Sequence, residues 1–318
     1  MRHPDRNGIF AQSSRRAFLA SGLSLAAAAA FSRPARAIGR ITMGASEFIT
    51  VSDGSLALPM DSLFPDIEKA ELEAFLRAHD MPTDALRPQC NVTILKQGDR
   101  TTIFDVGAGS NFVSSTGALL ENLGAAGIDP ETVTDVIFTH AHPDHLWGVT
   151  DDFDELVFAN ANYHIGQAEW DFWSSPDAMQ SVAEDRQSFV VGAQNRFAVL
   201  EERIAFLKPG QEVLPGVEVV GTPGHTPGHL SFLVHDGRDQ TLIAGDAVSN
   251  TQISFEHPEW RTSSDQDPDG GVATRKALLS RLAGDKSRII GYHFDKAGIG
   301  RVERQGEAYA FIAEDAAR

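Results

Sequence analysis

Cysteine is almost absent from this 318-residue chain, which contains only Cys90. A single thiol cannot form a disulfide within the chain, so a hydrophobic core has to hold the fold together. The same scarcity argues against a structural zinc site built from several cysteines. Nothing near Cys90 would activate it as a nucleophile, and we predict a buried side chain that packs like a small apolar residue.

Basic residues are also scarce, and they are unevenly distributed. Residues 1–37 hold six of the 27 basic residues and one of the 44 acidic residues, so residues 38–318 carry a formal charge of −22. A surface of this sign repels phosphate backbones, which argues against a nucleic-acid partner. Solubility explains most of the excess, and acids grouped around divalent cations would explain part of it.

Long apolar runs are absent after residue 37. Before it, Ser-Arg-Arg-Ala-Phe-Leu at 14–19 forms a twin-arginine pattern, an apolar stretch covers 17–31, and Ala-Arg-Ala at 35–37 provides a cleavage site. The apolar stretch is shorter than the roughly 20 residues of a spanning helix, which argues against a membrane anchor. We predict a signal peptide over residues 1–37 and a periplasmic or secreted protein exported by the twin-arginine route, with no anchor after cleavage.

The remaining sequence alternates strand-like and helix-like segments. Apolar runs predict strands at 91–95, 101–106, 133–138, 217–220, 231–234, 241–244 and 288–290. Helical spacing predicts helices at 66–78, from Ser114 or Ser115 to about Gly127, and at 177–200, 272–282 and 302–316. Residues 38–60 look extended. The mixture indicates an α/β fold in which two sheets pack together with helices outside them.

Four of the predicted strands end just before a side chain that can bind a metal ion. These side chains are His140 after 133–138, His225 after 217–220, Asp246 after 241–244 and His293 after 288–290. Side chains at strand ends can converge at one edge of a sheet, where the scaffold is stiff. We therefore expect these distant residues to form one site.

The strongest local motif is Thr-His-Ala-His-Pro-Asp-His at residues 139–145. Imidazole and carboxylate ligands together suit zinc and similar divalent ions. His140 and His142 are predicted to bind one ion, while Asp144 and His145 turn toward a neighbouring ion. Pro143 restricts the backbone, which lowers the entropy cost of presenting several ligands at once.

A second loop, Gly-Thr-Pro-Gly-His-Thr-Pro-Gly-His at residues 221–229, contains two histidines. One of His225 and His229 is predicted to bind metal and the other to orient it, and the residues alone leave open which is which. Asp246 offers a carboxylate that can bridge two cations roughly 3.5–4 Å apart. Asp105 is expected to support the site rather than bind metal.

Three aromatic residues, Trp170, Phe172 and Trp173, lie close together in the sequence. They fit two interpretations equally well, the mouth of a substrate pocket or an ordinary part of the core.

Taken together, these motifs resemble the metallo-β-lactamase superfamily, in which H-x-H-x-D-H, a later histidine, an aspartate and a final histidine bind two metal ions. The resemblance covers about residues 90–300. It implies a single hydrolase domain at 38–318, folded as an αββα sandwich of two packed mixed β-sheets flanked by helices. It gives the ligand role in the second loop to His225 and leaves His229 outside direct coordination. The implied ligands are His140, His142, Asp144, His145, His225, Asp246 and His293, most simply around two zinc ions.

Within the superfamily, the chain is similar to the methyl parathion hydrolase-like branch, which lies close to lactone-cleaving relatives. The similarity lies in the 21-residue and 47-residue spacings from His225 to Asp246 and from Asp246 to His293, and in residues 169–173, 273–276 and 298–300.

Three differences from other members of the superfamily reduce the number of activities to be expected. True zinc β-lactamases lack an aspartate at the position of Asp246, so antibiotic hydrolysis is not expected. Quorum-quenching lactonases carry a tyrosine three residues after the bridging aspartate, where this chain has Ser249. Glyoxalase-type thioesterases have a shorter gap before the last histidine.

The resemblance implies a hydrolase that cleaves an ester, lactone or phosphotriester of a small molecule. A water shared by two cations ionises near neutral pH, and the bridging hydroxide would attack an acyl carbon or a phosphorus atom. In this scheme Asp246 bridges the two ions, and either Asp144 or Asp246 carries the proton. The two ligand groups are His140, His142 and His225 for one ion, and Asp144, His145 and His293 for the other.

Two other functions stay open, a non-catalytic periplasmic metal-binding protein and an iron-dependent redox member of the same superfamily. A metal buffer would be expected to carry an exposed histidine-rich tract, whereas the ligands here are spread over about 150 residues. A homodimer is also compatible with the sequence.

Overall fold

The computed structural model describes residues 39–314. The predicted signal peptide at residues 1–37 lies outside these described residues. The strands are β1 (Gly39–Met43), β2 (Ser46–Ser55), β3 (Leu58–Pro59), β4 (Ala85–Leu86), β5 (Gln89–Gln97), β6 (Arg100–Phe104), β7 (Asp135–Ile137), β8 (Asn162–Gly166), β9 (Ile204–Leu207), β10 (Glu212–Leu214), β11 (Val217–Gly221), β12 (Leu230–Asp236), β13 (Asp239–Ile243), β14 (Arg288–Ile290), β15 (Ile299–Gln305) and β16 (Ala308–Ala313).

Helices connect these strands and cover the sheets. They are α1 (Met60–Leu63), α2 (Lys69–Ala78), α3 (Leu119–Ala125), α4 (Pro143–Leu146), α5 (Gln167–Ser174), α6 (Ala178–Ser181), α7 (Gln187–Leu200), α8 (Ile253–Glu256) and α9 (Pro268–Asp285). Among the helices within residues 39–314, none combines the length and the hydrophobicity that crossing a bilayer requires.

The strands form two seven-stranded sheets and one short ribbon. The first sheet has the order β1-β2-β5-β6-β7-β8-β9, the second has the order β10-β11-β12-β13-β14-β15-β16, and β3 pairs with β4. Both large sheets are mixed, because β6 through β9 run parallel in the first and β13 runs parallel to β14 in the second. The predicted αββα sandwich of two mixed sheets is confirmed.

Three apolar layers hold the sandwich together. The layer between the sheets contains Phe104 of β6 and Phe232 of β12, whose ring centroids are 5.3 Å apart. A second layer packs the first sheet against α3, α5 and α7, and a third packs the second sheet against α9. Strand β7 contributes Ile137 to the layer between the sheets and Val136 to the outer layer. A strand buried on both faces reads as a continuous apolar run, which explains why these strands were predictable.

The carboxyl ends of several strands lie at one edge of the sandwich and carry the predicted site. His140 follows β7 of the first sheet, whereas His225, Asp246 and His293 follow β11, β13 and β14 of the second. Since β13 and β14 run in parallel, Asp246 and His293 leave the second sheet in the same direction. The expectation that strand ends deliver these side chains agrees with the fold.

The predicted helix at residues 302–316 is wrong. Strands β15 and β16 form a hairpin instead, with Val302 opposite Phe311. Val302 and Tyr309 pack against the second sheet, and Gly306 makes the turn with a φ of 63°. The many glutamate, arginine and alanine residues in this segment favour a helix, but pairing of β15 with β14 overrides that weak local preference.

Candidate metal centre

The loop after β7 presents four metal-binding side chains within six residues. Helix α4 begins at Pro143, where the missing N–H of proline costs no hydrogen bond. His142 lies just before this helix, and Asp144 and His145 lie in its first turn. All seven predicted ligand residues are at most 7% exposed.

One group of ligands consists of three histidines. Ligand atoms of His140, His142 and His225 all lie within 4.8 Å of one another. His225 Nε2 is 2.9 Å from His142 Nδ1. The nitrogens thus point at a common volume, as they would around a single ion.

The second group surrounds two carboxylates. His145 Nε2 lies 3.4 Å from Asp144 Oδ2, and His293 Nε2 lies 3.4 Å from the same oxygen. Asp246 is placed between the two groups, with its oxygens 3.3 Å from His145 Nε2, 3.1 Å from His293 Nε2 and 3.3 Å from His225 Nε2. The structure therefore brings together all seven residues that the sequence predicts as ligands.

Several of these ligand atoms have no hydrogen-bond partner among the described residues. They are His140 Nε2, Asp144 Oδ2, His145 Nε2 and Asp246 Oδ1. Buried polar atoms in proteins are nearly always paired, so such a cluster calls for an explanation. Two divalent cations would satisfy every one of them, and the mixed imidazole and carboxylate donors suit zinc. The residues present fit a metal pair.

The charge states of these groups suit metal binding. Burial, together with neighbouring imidazoles, lowers the pKa of His140 and His142 well below the usual range, so both are neutral and able to donate a lone pair. Burial opposes ionisation of Asp246, but His293, His145 and His225 outweigh it and hold the pKa of this carboxyl well below its usual value. Asp246 is therefore a carboxylate.

Asp105 follows β6 and supports the site from behind, as the sequence analysis expected. Its Oδ2 lies 2.8 Å from His145 Nδ1, on the side of that ring facing away from the two carboxylates. Thr139 donates to it through both its backbone N–H and its hydroxyl, at 2.7 and 2.8 Å. A carboxylate in this place fixes the tautomer and orientation of the imidazole.

The two histidines of the loop at 221–229 have different hydrogen-bond partners, which distinguishes their roles. His229 Nδ1 is 2.8 Å from the Thr222 hydroxyl, and His229 Nε2 accepts a hydrogen bond of 3.0 Å from the backbone N–H of Asp246. Burial lowers the pKa of His229 to about 3, which keeps it neutral and able to accept that bond. His225 instead keeps Nε2 toward the cluster. This arrangement supports His225 as the ligand and His229 as a residue that orients Asp246.

Some functional neighbours were not identified from the sequence. Asp265 Oδ1 lies 3.1 Å from His225 Nδ1, and its other oxygen lies 3.6 Å from Arg275 Nη1. The Tyr292 hydroxyl donates to the carbonyl of Asp144, at 2.5 Å. Cys90 is buried as predicted, but its thiol also lies within 4.8 Å of ligand atoms of Asp144 and His293. These partners are distant in sequence, and no motif connects them.

Glu169 on α5 ties the two ligand loops together. One carboxylate oxygen accepts from the backbone N–H of Ala141 and from the Trp173 indole, at 2.9 and 2.6 Å. The other accepts from the Thr226 hydroxyl and the backbone N–H of Gly228, at 2.7 and 3.1 Å. The signal in the sequence that could have identified it was an acid directly before a group of aromatic residues, Trp170, Phe172 and Trp173.

The aromatic residues at 170–173 belong to the core. Trp170 stacks on Phe197 with centroids 4.1 Å apart, and Trp173 is fully buried. Of the two interpretations left open by the sequence, the structure supports the core, since neither tryptophan lines the cavity beside the metal centre.

That cavity, of about 210 Å³, opens directly onto the ligands. His142, Asp144, His225, Asp246 and His293 form its polar end. Its apolar wall includes Leu56, Phe64, Leu86, Phe112, Phe189 and Trp260. These residues come from separate parts of the chain, so no sequence pattern indicated that they share a surface.

A family model described as the metallo-beta-lactamase superfamily matches residues 86–293, which is more than half of the chain. Metallo-beta-lactamase domain-containing protein 1 of Xenopus laevis is 29% identical over 201 residues, covering 63% of this chain and 70% of that protein. An N-acyl homoserine lactonase of a Bacillus species is 28% identical over 131 residues, covering 41% of this chain and 44% of that enzyme. The chain thus matches less than half the length of that lactonase.

Two solved structures are similar over nearly their whole length. AidC, described as a dizinc quorum-quenching lactonase in complex with a product, is 27% identical with a TM-score of 0.83, covering 89% of this chain and 99% of that one. AbOPH, described as a hydrolase in the beta-lactamase superfamily, is 26% identical with the same TM-score and the same coverage.

Proposed function

Since the family model covers more than half of it, the chain belongs to the metallo-β-lactamase superfamily, and we propose that it is a dinuclear metal-dependent hydrolase acting on an ester, lactone or phosphotriester. The observation that carries the proposal is the cluster of buried ligand atoms that lack hydrogen-bond partners among the described residues. Their position at the end of a cavity gives a small molecule access to them.

The proposed ligand groups follow the two clusters of side chains. Asp246 is proposed to be shared by both groups, because it lies close to His225 of the first group and to His145 and His293 of the second. We propose zinc as the metal, because the donors suit it and AidC is described as a dizinc enzyme. Two such cations, when bound, supply Lewis acidity and lower the pKa of water. The groups are His140, His142 and His225 for one ion, and Asp144, His145 and His293 for the other.

The side chains of this site have separate tasks in hydrolysis. Asp144 and Asp246 line the cavity, and their carboxylate oxygens are positioned to accept a proton from the attacking water and return it to the leaving oxygen. Asp105, Asp265 and His229 hold the ligand residues in place, so that little reorganisation is needed during the reaction. The apolar wall excludes bulk water around the scissile bond.

Export is a separate proposal. We propose that residues 1–37 direct the chain to the periplasm or outside the cell through the twin-arginine route, on the strength of the Arg15-Arg16 pair and the apolar stretch after it. Fractionation of cells that express the full chain tests this, with Arg15→Lys combined with Arg16→Lys expected to retain the protein in the cytoplasm. An unchanged distribution of this double variant would contradict the proposal.

The hydrolase proposal is tested by metal content and turnover together. We expect about two metal ions per chain and hydrolysis of an N-acyl homoserine lactone, an aryl ester or an aryl phosphotriester. His142→Ala and Asp246→Ala should each lower kcat/KM by several orders of magnitude. His235→Ala is the matched control, because this histidine pairs with Glu218 on a partly exposed strand away from the cavity.

Other outcomes would point to the other functions. Two bound ions without turnover on any of these substrates would indicate a metal-binding protein, and iron with oxygen consumption would indicate redox chemistry. Equal rates for the wild type and both ligand variants would rule out the proposed site.

A further inference from the structure

Arg186 places a positive charge in the wall of the cavity beside the metal centre. It immediately precedes α7 and lines the same cavity as His142 and His225. The proposed hydrolysis does not use this charge.

The guanidinium is fixed by the backbone of residues 262–267, a segment we call the clamp loop. Its two terminal nitrogens donate to the carbonyl oxygens of Ser264 and Ser263, at 3.1 and 2.5 Å. The clamp loop also holds His225, through Asp265 and through the backbone N–H of Gln266. The same short segment therefore sets the position of the guanidinium relative to a proposed metal ligand.

The charge of Arg186 has no close counter-ion. Within residues 39–314 the guanidinium forms no ion pair; the acids that act on its charge are Asp185, which lines the same cavity, and Asp265. Burial lowers its pKa, since part of its hydration is lost. Desolvated charges in proteins are usually paired. The two hydrogen bonds to the clamp loop leave further N–H groups for a ligand, and the planar fork of arginine matches the two oxygens of a carboxylate.

A second arginine in the cavity wall, Arg275, does have an acidic partner. Arg275 donates to the carbonyl oxygens of Pro258 and Trp260, at 3.0 and 2.7 Å, and lies 3.6 Å from the carboxylate of Asp265. Its charge is therefore balanced inside the protein. Of the two described arginines that line the cavity, Arg186 is the one whose charge is left for a ligand.

The rest of the cavity limits the size and the polarity of that ligand. Its volume of about 210 Å³ is below the roughly 300–1,000 Å³ typical of drug-sized ligands, and its lining as a whole is largely apolar. A suitable molecule is small and has an apolar chain or ring. Phe189, one turn along α7 from Arg186, lines the same cavity and offers an aromatic surface for that part.

We propose that this cavity selects small substrates that carry a carboxylate in addition to the bond that is cleaved, and that Arg186 binds this carboxylate while the apolar wall holds the connecting chain. The identity of the cleaved bond rests on the proposed function, but the carboxylate site does not. Arg186 binds a part of the substrate that does not react, so it acts on affinity more than on the chemical step.

The test compares two aryl esters that differ by one charge, the anionic 4-nitrophenyl hydrogen glutarate and the neutral 4-nitrophenyl methyl glutarate. On the metal-loaded wild type, the anionic ester should have the lower KM. In Arg186→Gln its KM should rise on the order of 10- to 100-fold, with a smaller change in kcat, because a charged hydrogen bond to a remote group is lost. The KM of the neutral ester should change much less. Arg186→Lys keeps the charge without the fork and should lie in between.

Arg203→Gln is the matched control. Arg203 also donates to two backbone carbonyl oxygens, those of Ala159 and Ala161, but it does not line the cavity. Its replacement should leave the ratio of the two KM values as in the wild type. If Arg186→Gln raises the KM of both esters equally, Arg186 is only a structural clamp of the backbone and the proposal is overturned.

A binding measurement separates this proposal from the hydrolase proposal. Calorimetry with glutarate and its half-amide glutaramate on metal-loaded protein should show tighter binding of glutarate, because each has one carboxylate for the proposed metal pair and only glutarate has a second one for Arg186. Arg186→Gln should weaken the binding of glutarate at least tenfold. If the wild type hydrolyses neither ester yet glutarate binding depends on Arg186, the hydrolase proposal fails while the carboxylate site stands. If glutarate binds the wild type and Arg186→Gln equally, the carboxylate site is refuted whatever the turnover.

Discussion

Three of the five histidines in the cluster are held through the ring nitrogen that faces away from it. His145 has Asp105 there, His225 has Asp265, and His293 has the backbone carbonyl of Gln89 at 2.7 Å. These contacts fix the ring orientation before a metal binds, so less conformational entropy is lost on binding. The precision of the centre therefore depends on residues that are not ligands.

Replacing Asp265 tests how much such a contact contributes to metal binding by one histidine, His225. Asp265→Asn keeps the size of the side chain but removes the charge that polarises His225 and balances Arg275. We expect the ion near His140, His142 and His225 to bind about 10- to 100-fold more weakly. Metal content after dialysis against graded chelator measures this, and a changed absorption spectrum of the cobalt form reports the altered ligand. Asp267→Asn is the control, since Asp267 only caps α9 and asparagine caps equally well.

The two histidines of the loop at 221–229 should behave differently. His225→Ala removes a proposed ligand, so metal content should fall from about two ions per chain toward about one. His229→Ala removes the acceptor for the backbone N–H of Asp246, and should lower stability by about 1–3 kcal/mol while most of the metal is retained. Elemental analysis combined with urea unfolding checks both variants. Loss of a whole ion in His229→Ala alone would reverse the assignment.

The seven clustered side chains could be predicted because they lie in one short motif or follow recognisable strands. Asp105 could be predicted as a supporting residue for the same reason, since it follows strand β6. Asp265 could not, because it lies 40 positions from His225 and no strand or motif indicates the contact. Such contacts exist only after the chain has folded. Arg186 was missed for the same reason, because its anchors at Ser263 and Ser264 are nearly 80 positions away.

Helix α5 carries no proposed ligand, but it contacts both of the loops that do. It carries Glu169, whose two oxygens accept four hydrogen bonds from the loops at 140–145 and 221–229 and from Trp173. Burial raises the pKa of this acid, and the surrounding donors oppose the rise. The helix thus fixes the distance between two loops that supply ligands from different sheets.

Glu169→Gln tests this connection. Glutamine has the same shape but presents an NH₂ group to at least one of the four donors, which leaves a buried donor unpaired. We expect a loss of about 1–3 kcal/mol in the free energy of unfolding. Urea denaturation measures it, with Glu218→Gln as a control on a partly exposed strand. A loss no larger than that of the control would show that the four contacts are not important for stability.

Strands buried on both faces were predictable at this scale, whereas the hairpin β15–β16 was not. Runs such as that of Val136 and Ile137 are apolar because apolar layers cover both faces of the strand, and that pattern is visible in the sequence. The hairpin lies at the edge of the second sheet, and its buried apolar side chains are only Ile299, Val302 and Tyr309. With few buried positions, alternation was weak, and helix-favouring residues dominated the prediction.

On the scale of the whole molecule, the proposed metal pair connects the two sheets. His140, His142 and His145 follow β7 of the first sheet, and the remaining histidines and Asp246 follow strands of the second. Ions bound by residues from both groups would cross-link the two sheets at the edge of the sandwich where their strands end. A ligand that binds only the folded state stabilises it by mass action.

Chelation should therefore destabilise the whole sandwich. With free zinc at about 1,000 times the Kd of a site, each bound ion stabilises the fold by about 4 kcal/mol, so the loss of even one ion corresponds to a fall in Tm of roughly 8–16 °C. Differential scanning calorimetry before and after chelation measures the fall, and added zinc should reverse it. Asp246→Ala should respond much less to chelator, because the carboxylate between the two ligand groups is missing. If chelator leaves the Tm of the wild type unchanged, the metal pair does not connect the sheets.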